Sequence, residues 1–278
     1  MKKRGRKITL YLIDGDANGR IMCELSNWSG KAYKIPRNLI KKSEDRNDLN
    51  NTGIYILFGK NEYGNNVAYI GEAEIIKQRL LQHVGQKEFW NEAIVFISKD
   101  NNLNKAHIKY LESRLFEIAK DTDRYILDNT TKPTKSNISE PDQAEMEEFI
   151  DNLRLLVNTL GHKVFDAIVK EDSLGEEAIF EIKKTGKFAK GKPTNEGFVV
   201  FKGALLASKL GVVNNSVVEL RNKLISEGAI SEKGNELRLN KDYVFSSPSL
   251  AAVIILGRSA NGLLEWKCNG KSLKEFEK

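Results

Sequence analysis

The hydropathy pattern between residues 53 and 122 constrains this chain more than any other stretch. Two short runs rich in β-branched and aromatic residues, TGIYILF and NVAYIG, flank the polar loop GKNEYGNN, which reads as a β-hairpin. EIIKQRLLQHV follows with Ile76, Leu80 and Val84 at the spacing of a buried helical stripe. EAIVFIS, from Glu92 to Ser98, then reads as a buried strand. NNLNKAHIKYLESRLFEIAKD reads as a long helix with Ile108, Leu111, Leu115 and Ile118 turned inward. The order strand, strand, helix, strand, helix specifies an α+β unit.

The flanking segments divide the rest of the chain. Residues 8–24 alternate around DGDANG and predict an N-terminal hairpin, ITLYLI with RIMCEL, and residues 36–51 predict a short helix or loop, so 1–49 is a lead-in to the unit at 50–139. From Glu140 to Gly161 an acidic first turn, a periodic apolar face and a closing glycine predict a capped helix. That helix, 140–162, is expected to join the first half to a second compact α+β domain at 163–278. In that domain AIFEIKK and GFVVFKG read as strands and SVVELRNKLISEG as a helix. SSPSLAAVIILG predicts another helix, with Ser247 as cap, Pro248 first and Gly257 at its end. LLEWKCNGKSL predicts a closing hairpin around Asn269 and Gly270.

No apolar run approaches the roughly 20 residues that span a bilayer. The N-terminal cations Lys2, Lys3, Arg4, Arg6 and Lys7 precede an apolar stretch, Ile8 to Ile13, that Asp14 ends too early for a secretory signal. Cys23 and Cys268 sit far apart, in no metal-ligand spacing and no disulfide framework, which fits reduced thiols and a cytoplasmic protein. A net charge of +6 permits polyanion binding. The lysines cluster at Lys183, Lys184, Lys187, Lys190 and Lys192, a candidate substrate-binding group.

Chemistry concentrates in the first half. With the hairpin turn centred on Glu62, Tyr55 and Tyr69 fall opposite each other and both phenols emerge on one face. Arg79 and His83 stand four apart beside the apolar stripe, so a guanidinium able to hold a phosphate lies next to an imidazole able to move a proton. Glu112 edges the stripe of its own helix. Such a carboxylate either pairs with a local cation such as Arg114 or binds a hard cation such as Mg²⁺. Each residue alone is more often structural, but together they supply what single-metal phosphodiester cleavage requires.

The ordered fragments GIY at 53–55, YIG at 69–71, RLLQH at 79–83 and YLESRL at 110–115 resemble the motifs of the GIY-YIG nuclease superfamily. The resemblance covers residues 50–133 and takes in Asn129 of LDNTTKP. It implies a small three-stranded antiparallel sheet flanked by helices and an endonuclease that hydrolyses nucleic acid, DNA first of all. By the same resemblance Tyr55 and Tyr69 orient or activate water, Arg79 holds the scissile phosphate and His83 assists proton transfer. Glu112 binds one Mg²⁺ or Mn²⁺ ion, and Asn129 supports the site. Gly53 and Gly71 read as structural, allowing close backbone approach. The competing expectation is a catalytically silent or partner-activated nucleic-acid-binding protein that keeps the fold; no partner protein is legible. FVVFKG, DYVFSSPSLAAVIILGRSANGLLEWK and GKSL in the second half resemble a domain of unknown function that follows such nuclease domains. There Arg258, Asn261 and Trp266 could contact nucleic acid, but a buried tryptophan and a turn asparagine are the stronger expectation.

Overall fold

Strands that are apolar on both faces need a cover on both sides, and the runs GIYILF and AIVFIS find one in the first of two compact units, Met1–Ala167 and Ile168–Lys278. The computed structural model describes residues 5–168, 178–233 and 236–277; the basic Lys2, Lys3 and Arg4 lie outside them. In the first unit the elements are β1 (Ile8–Leu12), β2 (Ile21–Leu25), β3 (Gly30–Pro36), β4 (Gly53–Lys60) and β5 (Asn66–Ala73). They continue with α1 (Ile76–Gln86), β6 (Trp90–Ser98), α2 (Lys105–Thr122), β7 (Ile126–Leu127) and α3 (Glu140–Thr159). Short 3-10 turns fill Arg37 to Asn50, within the stretch read as helix or loop.

The sheet has seven strands among the described residues, in the order β1-β2-β3-β6-β4-β5-β7, where three were expected. The expected three are its centre, β6-β4-β5. The additional width comes from β3, which pairs antiparallel with β6 from Gly30↔Ser98 to Pro36↔Glu92 and carries the β1-β2 hairpin with it. This covers an edge of β6 that would otherwise be open for pairing. Lys31 and Lys34 obscure β3 in the sequence. They are half-buried and ion-paired, Lys31 with Asp48 and Lys34 with Glu92 at 3.0 Å, while Ala32, Tyr33 and Ile35 enter the core. The described part of the expected lead-in is thus continuous with the central sheet.

One face of the sheet packs on α2 and α3, the other on α1 and the 3-10 turns. α3 is a wall of the first unit and not only a joint. Its Met146, Phe149, Ile150, Leu153, Leu156 and Val157 lie in one apolar cluster with Ile56, Phe96 and Leu111. In β4 and β5 the register is Tyr55↔Gly71 and Leu57↔Tyr69, so the hairpin centres on Tyr63 rather than Glu62. Tyr55 and Tyr69 are therefore diagonal neighbours, not direct partners, and still share a face because side chains alternate with period two.

The second unit is α+β as well. Its elements are β8 (Phe180–Lys184), β9 (Lys187–Thr194), β10 (Gly197–Val200), β11 (Leu205–Leu206), α4 (Asn215–Ser226), β12 (Ile230–Lys233) and β13 (Glu236–Leu239). β14 (Tyr243–Phe245), α5 (Pro248–Leu256), α6 (Gly262–Glu265), β15 (Lys267–Cys268), β16 (Lys271–Ser272) and α7 (Leu273–Phe276) follow. The strands form one sheet around the buried helix α5. Ser247 caps α5, Pro248 opens it and Gly257 ends it at φ 69°. Asn269 and Gly270 both adopt positive φ between β15 and β16, as a two-residue hairpin turn requires. No helix among the described residues is long and apolar enough to cross a membrane.

If α3 is part of the first unit's core, Leu153→Ala, at a fully buried position, is expected to cost about 2–5 kcal/mol of unfolding free energy in urea. A loss below about 0.5 kcal/mol, the range of surface substitutions, would return α3 to the role of a mere connector.

Candidate active site

Tyr55 rises from β4 into the layer between the sheet and α1, and its position explains Gly71. A Cβ at residue 71 would overlap the Tyr55 hydroxyl and ring. The glycine across the strand pair is thus the space in which the phenol lies. Gly53 is similarly confined, by the carbonyl of Phe96 on β6. The Tyr55 and Tyr69 rings stack with centroids 6.1 Å apart and planes 27° from parallel. His83 closes the group, its centroid 5.4 Å from Tyr55 and 5.2 Å from Tyr69. The Tyr55 hydroxyl and His83 Nε2 share a buried hydrogen bond of 2.8 Å.

The expected pairing of Arg79 and His83 on one side of α1 needs correcting. His83 is only 4% exposed and belongs to the buried stripe with Ile76 and Leu80, while Arg79 is exposed and bonds Gln82 at 3.2 Å. The i, i+4, i+7 spacing of 76, 80 and 83 carries the imidazole inward. Burial sets its chemistry. It lowers the His83 pKa to about 4, with the charges of Arg79 and Lys87 acting in the same direction, so the imidazole is neutral near pH 7. Burial also pushes the Tyr55 phenol far up, and neighbouring Tyr69 adds to the effect. Both partners are then uncharged. His83 Nδ1 is buried without a hydrogen-bond partner among the described residues, an arrangement that costs about 1–3 kcal/mol in a folded protein.

Glu112 approaches from α2, half-buried. Burial and, after it, the charge of Glu72 on β5 together raise its pKa to about 7, with the Glu72 backbone N–H, which donates to the carboxylate, offsetting only part of the effect. Arg114 is not its partner: that guanidinium bonds Glu147 at 2.7 Å and Glu117 at 3.1 Å. No cationic side chain among the described residues makes an ion pair with Glu112; Arg79 and Lys109 act on it only through space. A carboxylate beside a second carboxylate, ionised only from about pH 7 upward, suits a hard divalent cation. Among the described residues no group of three or more His, Cys, Asp or Glu side chains could hold a metal. The protein would then supply little beyond Glu112, and water and substrate oxygens the rest, in the manner of Mg²⁺.

Asn129 faces the backbone of β5 rather than the Tyr55–His83 pair. Its Nδ2 donates to Ile70 O at 2.7 Å and its Oδ1 accepts from Ile70 N at 3.1 Å. Both ends of the amide are occupied by β5, which makes Asn129 a positioning residue for the strand segment between Tyr69 and Gly71. Three further residues escaped the sequence reading. Glu72 directly follows the YIG fragment, and Lys87 lies four residues beyond His83, so both were legible by position. Asp128, which pairs with Lys87 at 2.5 Å, carries no local signal.

The lysine group of the second unit is divided between two faces of the β8-β9 hairpin. The pairs Glu181↔Lys190 and Lys183↔Phe188 set Lys183, Lys190 and Lys192 on one face, Lys184 and Lys187 on the other. Lys183 pairs with Glu181, Lys184 with Glu265 at 3.5 Å, and Lys192 is buried. The five do not form one cationic stripe. Trp266 is fully buried, donating to Pro248 O at 2.9 Å and packing on Phe198. Asn261 caps α6, and Arg258 bonds Glu265 at 2.6 Å.

A family model described as a domain of unknown function, DUF4357, matches residues 180–277, about a third of the chain and within the second unit. No curated protein and no solved structure matches the chain.

The raised pKa of Glu112 has a stability consequence of definite sign. A carboxyl whose folded pKa lies above its unfolded value favours the fold below about pH 4.5 and loses that contribution as pH rises towards 7. Glu112→Gln is therefore expected to match the parent near pH 4.5 and to melt roughly 7–14 °C higher at pH 8. Added Mg²⁺ should raise the parent's melting temperature at pH 8 and leave that of Glu112→Gln unmoved. Identical shifts in both proteins would remove Glu112 from the cation site.

Proposed function

We propose that the first unit is a divalent-metal-dependent endonuclease of the GIY-YIG type that hydrolyses phosphodiester bonds of nucleic acid, with DNA as the expected polymer. The observation that carries this reading is the 2.8 Å hydrogen bond between the Tyr55 hydroxyl and His83 Nε2, in a layer also reached by the fields of Arg79 and Glu112. A neutral phenol bonded to a neutral imidazole is a route for one proton. With Nε2 bare, Tyr55 donates its proton to His83 while its oxygen accepts one from a water. The phenol moves the proton without becoming a lasting phenolate, an ionisation its burial opposes.

Arg79, exposed and free of any carboxylate partner among the described residues, is available to a phosphate oxygen and would offset charge as it develops there. Tyr69 packs beside Tyr55 against the imidazole, its ring centroid 5.2 Å from that of His83, and helps orient it. Asn129 holds the strand that carries Tyr69. Glu112 is the residue that would hold the cation, which when bound supplies Lewis-acid stabilisation of the phosphate and leaving oxygen. The resemblance of the fragments at 53–55, 69–71, 79–83 and 110–115 supports the same assignment.

Cleavage of plasmid and of branched or single-stranded oligonucleotides, with and without Mg²⁺ or Mn²⁺, tests it. Glu112→Ala should abolish turnover while sparing binding, and Tyr55→Phe should lower kcat by about 10²–10⁴. Parent rates in both variants would sink the mechanism, and binding without cleavage by the parent under every metal would favour the catalytically silent reading. Because a ligand carboxylate must be deprotonated, the Mg²⁺ concentration for half-maximal rate should rise about tenfold per pH unit below 7 and flatten above it. A profile flat from pH 5 to 8, a window spanning the raised Glu112 pKa of about 7, would show that Glu112 does not gate the metal.

A further inference from the structure

Arg79, His83 and Lys87 follow one another at intervals of four along α1 and its C-cap, where the Lys87 N–H donates to His83 O at 3.1 Å. The imidazole thus has one cation on the turn before it and another on the turn after. The charges of both act on it. Lys87 does not point away from the site: its Nζ lies 4.5 Å from the centroid of the Tyr69 ring, the face-on geometry of a cation over an aromatic. The ammonium is held there by Asp128, whose carboxylate is 38% exposed. Asp128 is in turn fixed by its backbone N–H, which donates to Ala68 O at 2.9 Å, and its neighbour Asn129 grips Ile70. The residues on either side of Tyr69 are therefore tied to one dipeptide, and the ammonium bonded to that dipeptide covers the ring.

An ion pair this open to water is weak. A backbone phosphodiester carries the same single charge on two oxygens as the Asp128 carboxylate, so it can take its place. Eight helical residues separate the Cα atoms of Arg79 and Lys87 by about 12 Å, which suits two phosphates of one strand better than a single shared one. We propose that Lys87 is a phosphate contact for a nucleotide near the one cleaved, parked on Asp128 over Tyr69 in the free protein and transferred to the strand on binding. The ligand class is a nucleic-acid backbone, read by charge and not by sequence. This assignment rests on the nuclease reading above and deepens it by giving the strand a direction along α1.

Binding of the full chain to a labelled duplex, followed by fluorescence anisotropy in EDTA between about 50 and about 200 mM salt, separates the two. Each phosphate contact contributes about 0.9 to the slope of log K against log salt on duplex DNA, so Lys87→Met should reduce the slope by about 0.9 and Lys87→Arg should restore it. Asp128→Asn leaves Lys87 in place and should bind several-fold more tightly at low salt, a test that stands even if Lys87→Met fails to fold. A Lys87→Met slope equal to the parent's, or an Asp128→Asn affinity no higher than the parent's, would overturn the assignment while leaving the nuclease reading in force. Absence of salt-dependent binding by the parent chain would overturn the nucleic-acid reading and this assignment with it.

Discussion

The contact between Tyr55 and His83 ties the sheet to α1, and most of the first unit's local sequence can be read as its consequence. The phenol occupies volume between the sheet and the helix, so residue 71 must lack a side chain. The imidazole must face inward, so α1 turns an otherwise apolar stripe towards the sheet with a histidine in its third position. Covering that stripe in turn requires Ile40, Leu49 and Trp90 around the helix, which the 3-10 turns and the start of β6 provide. A buried polar pair is tolerated because it is neutral on both sides and hydrogen-bonded; a charge at either position carries a desolvation cost that Asp128 offsets only in part for the imidazolium and Arg79 only in part for the phenolate.

Much of this was legible because local periodicity and local chemistry agreed. β4, β5, α1, β6 and α2 are elements whose own spacing decides their type, and Ser247, Pro248 and Gly257 delimit α5 by capping rules alone. β3 was not legible. Its lysines break the period-two pattern, and their neutralising partners Asp48 and Glu92 lie 17 and 58 positions away, as the bond between Lys31 and Asp48 and the ion pair between Lys34 and Glu92 show. The hairpin register failed for a smaller reason. The loop length fixes the pairing only when its turn centre is known, and a one-residue shift of the centre moves every pair by two.

At the site, residue types were legible and residue relations were not. Arg79 and His83 share a helix and a spacing of four, yet one faces solvent and the other the core, because the width of the buried stripe is set by the sheet beneath it. Asn129 illustrates the same limit. Its type suits a polar site, but only the three-dimensional arrangement shows that its amide completes the hydrogen bonding of Ile70 on β5 where β7 has ended. Glu72 and Lys87 adjoin recognisable residues, and their effects on Glu112 and His83 emerge only from proximity in space.

Electrostatics then gives the two ends of the site opposite character. Around His83 the field is positive, from Arg79 and Lys87, and burial reinforces it in keeping the imidazole neutral. Around Glu112 it is negative, from Glu72, and burial reinforces it in keeping the carboxyl protonated up to about pH 7. Arg79 at the cationic end relieves the acidic end only in part, its charge acting on Glu112 through space without offsetting burial and Glu72. A phosphate bound between them would bring its negative charge to the cationic end, and a divalent cation would bring positive charge to the acidic end. Each ligand would relax the unfavourable field its own end maintains, so anion and cation are expected to bind with positive coupling, the affinity of either rising when the other is present.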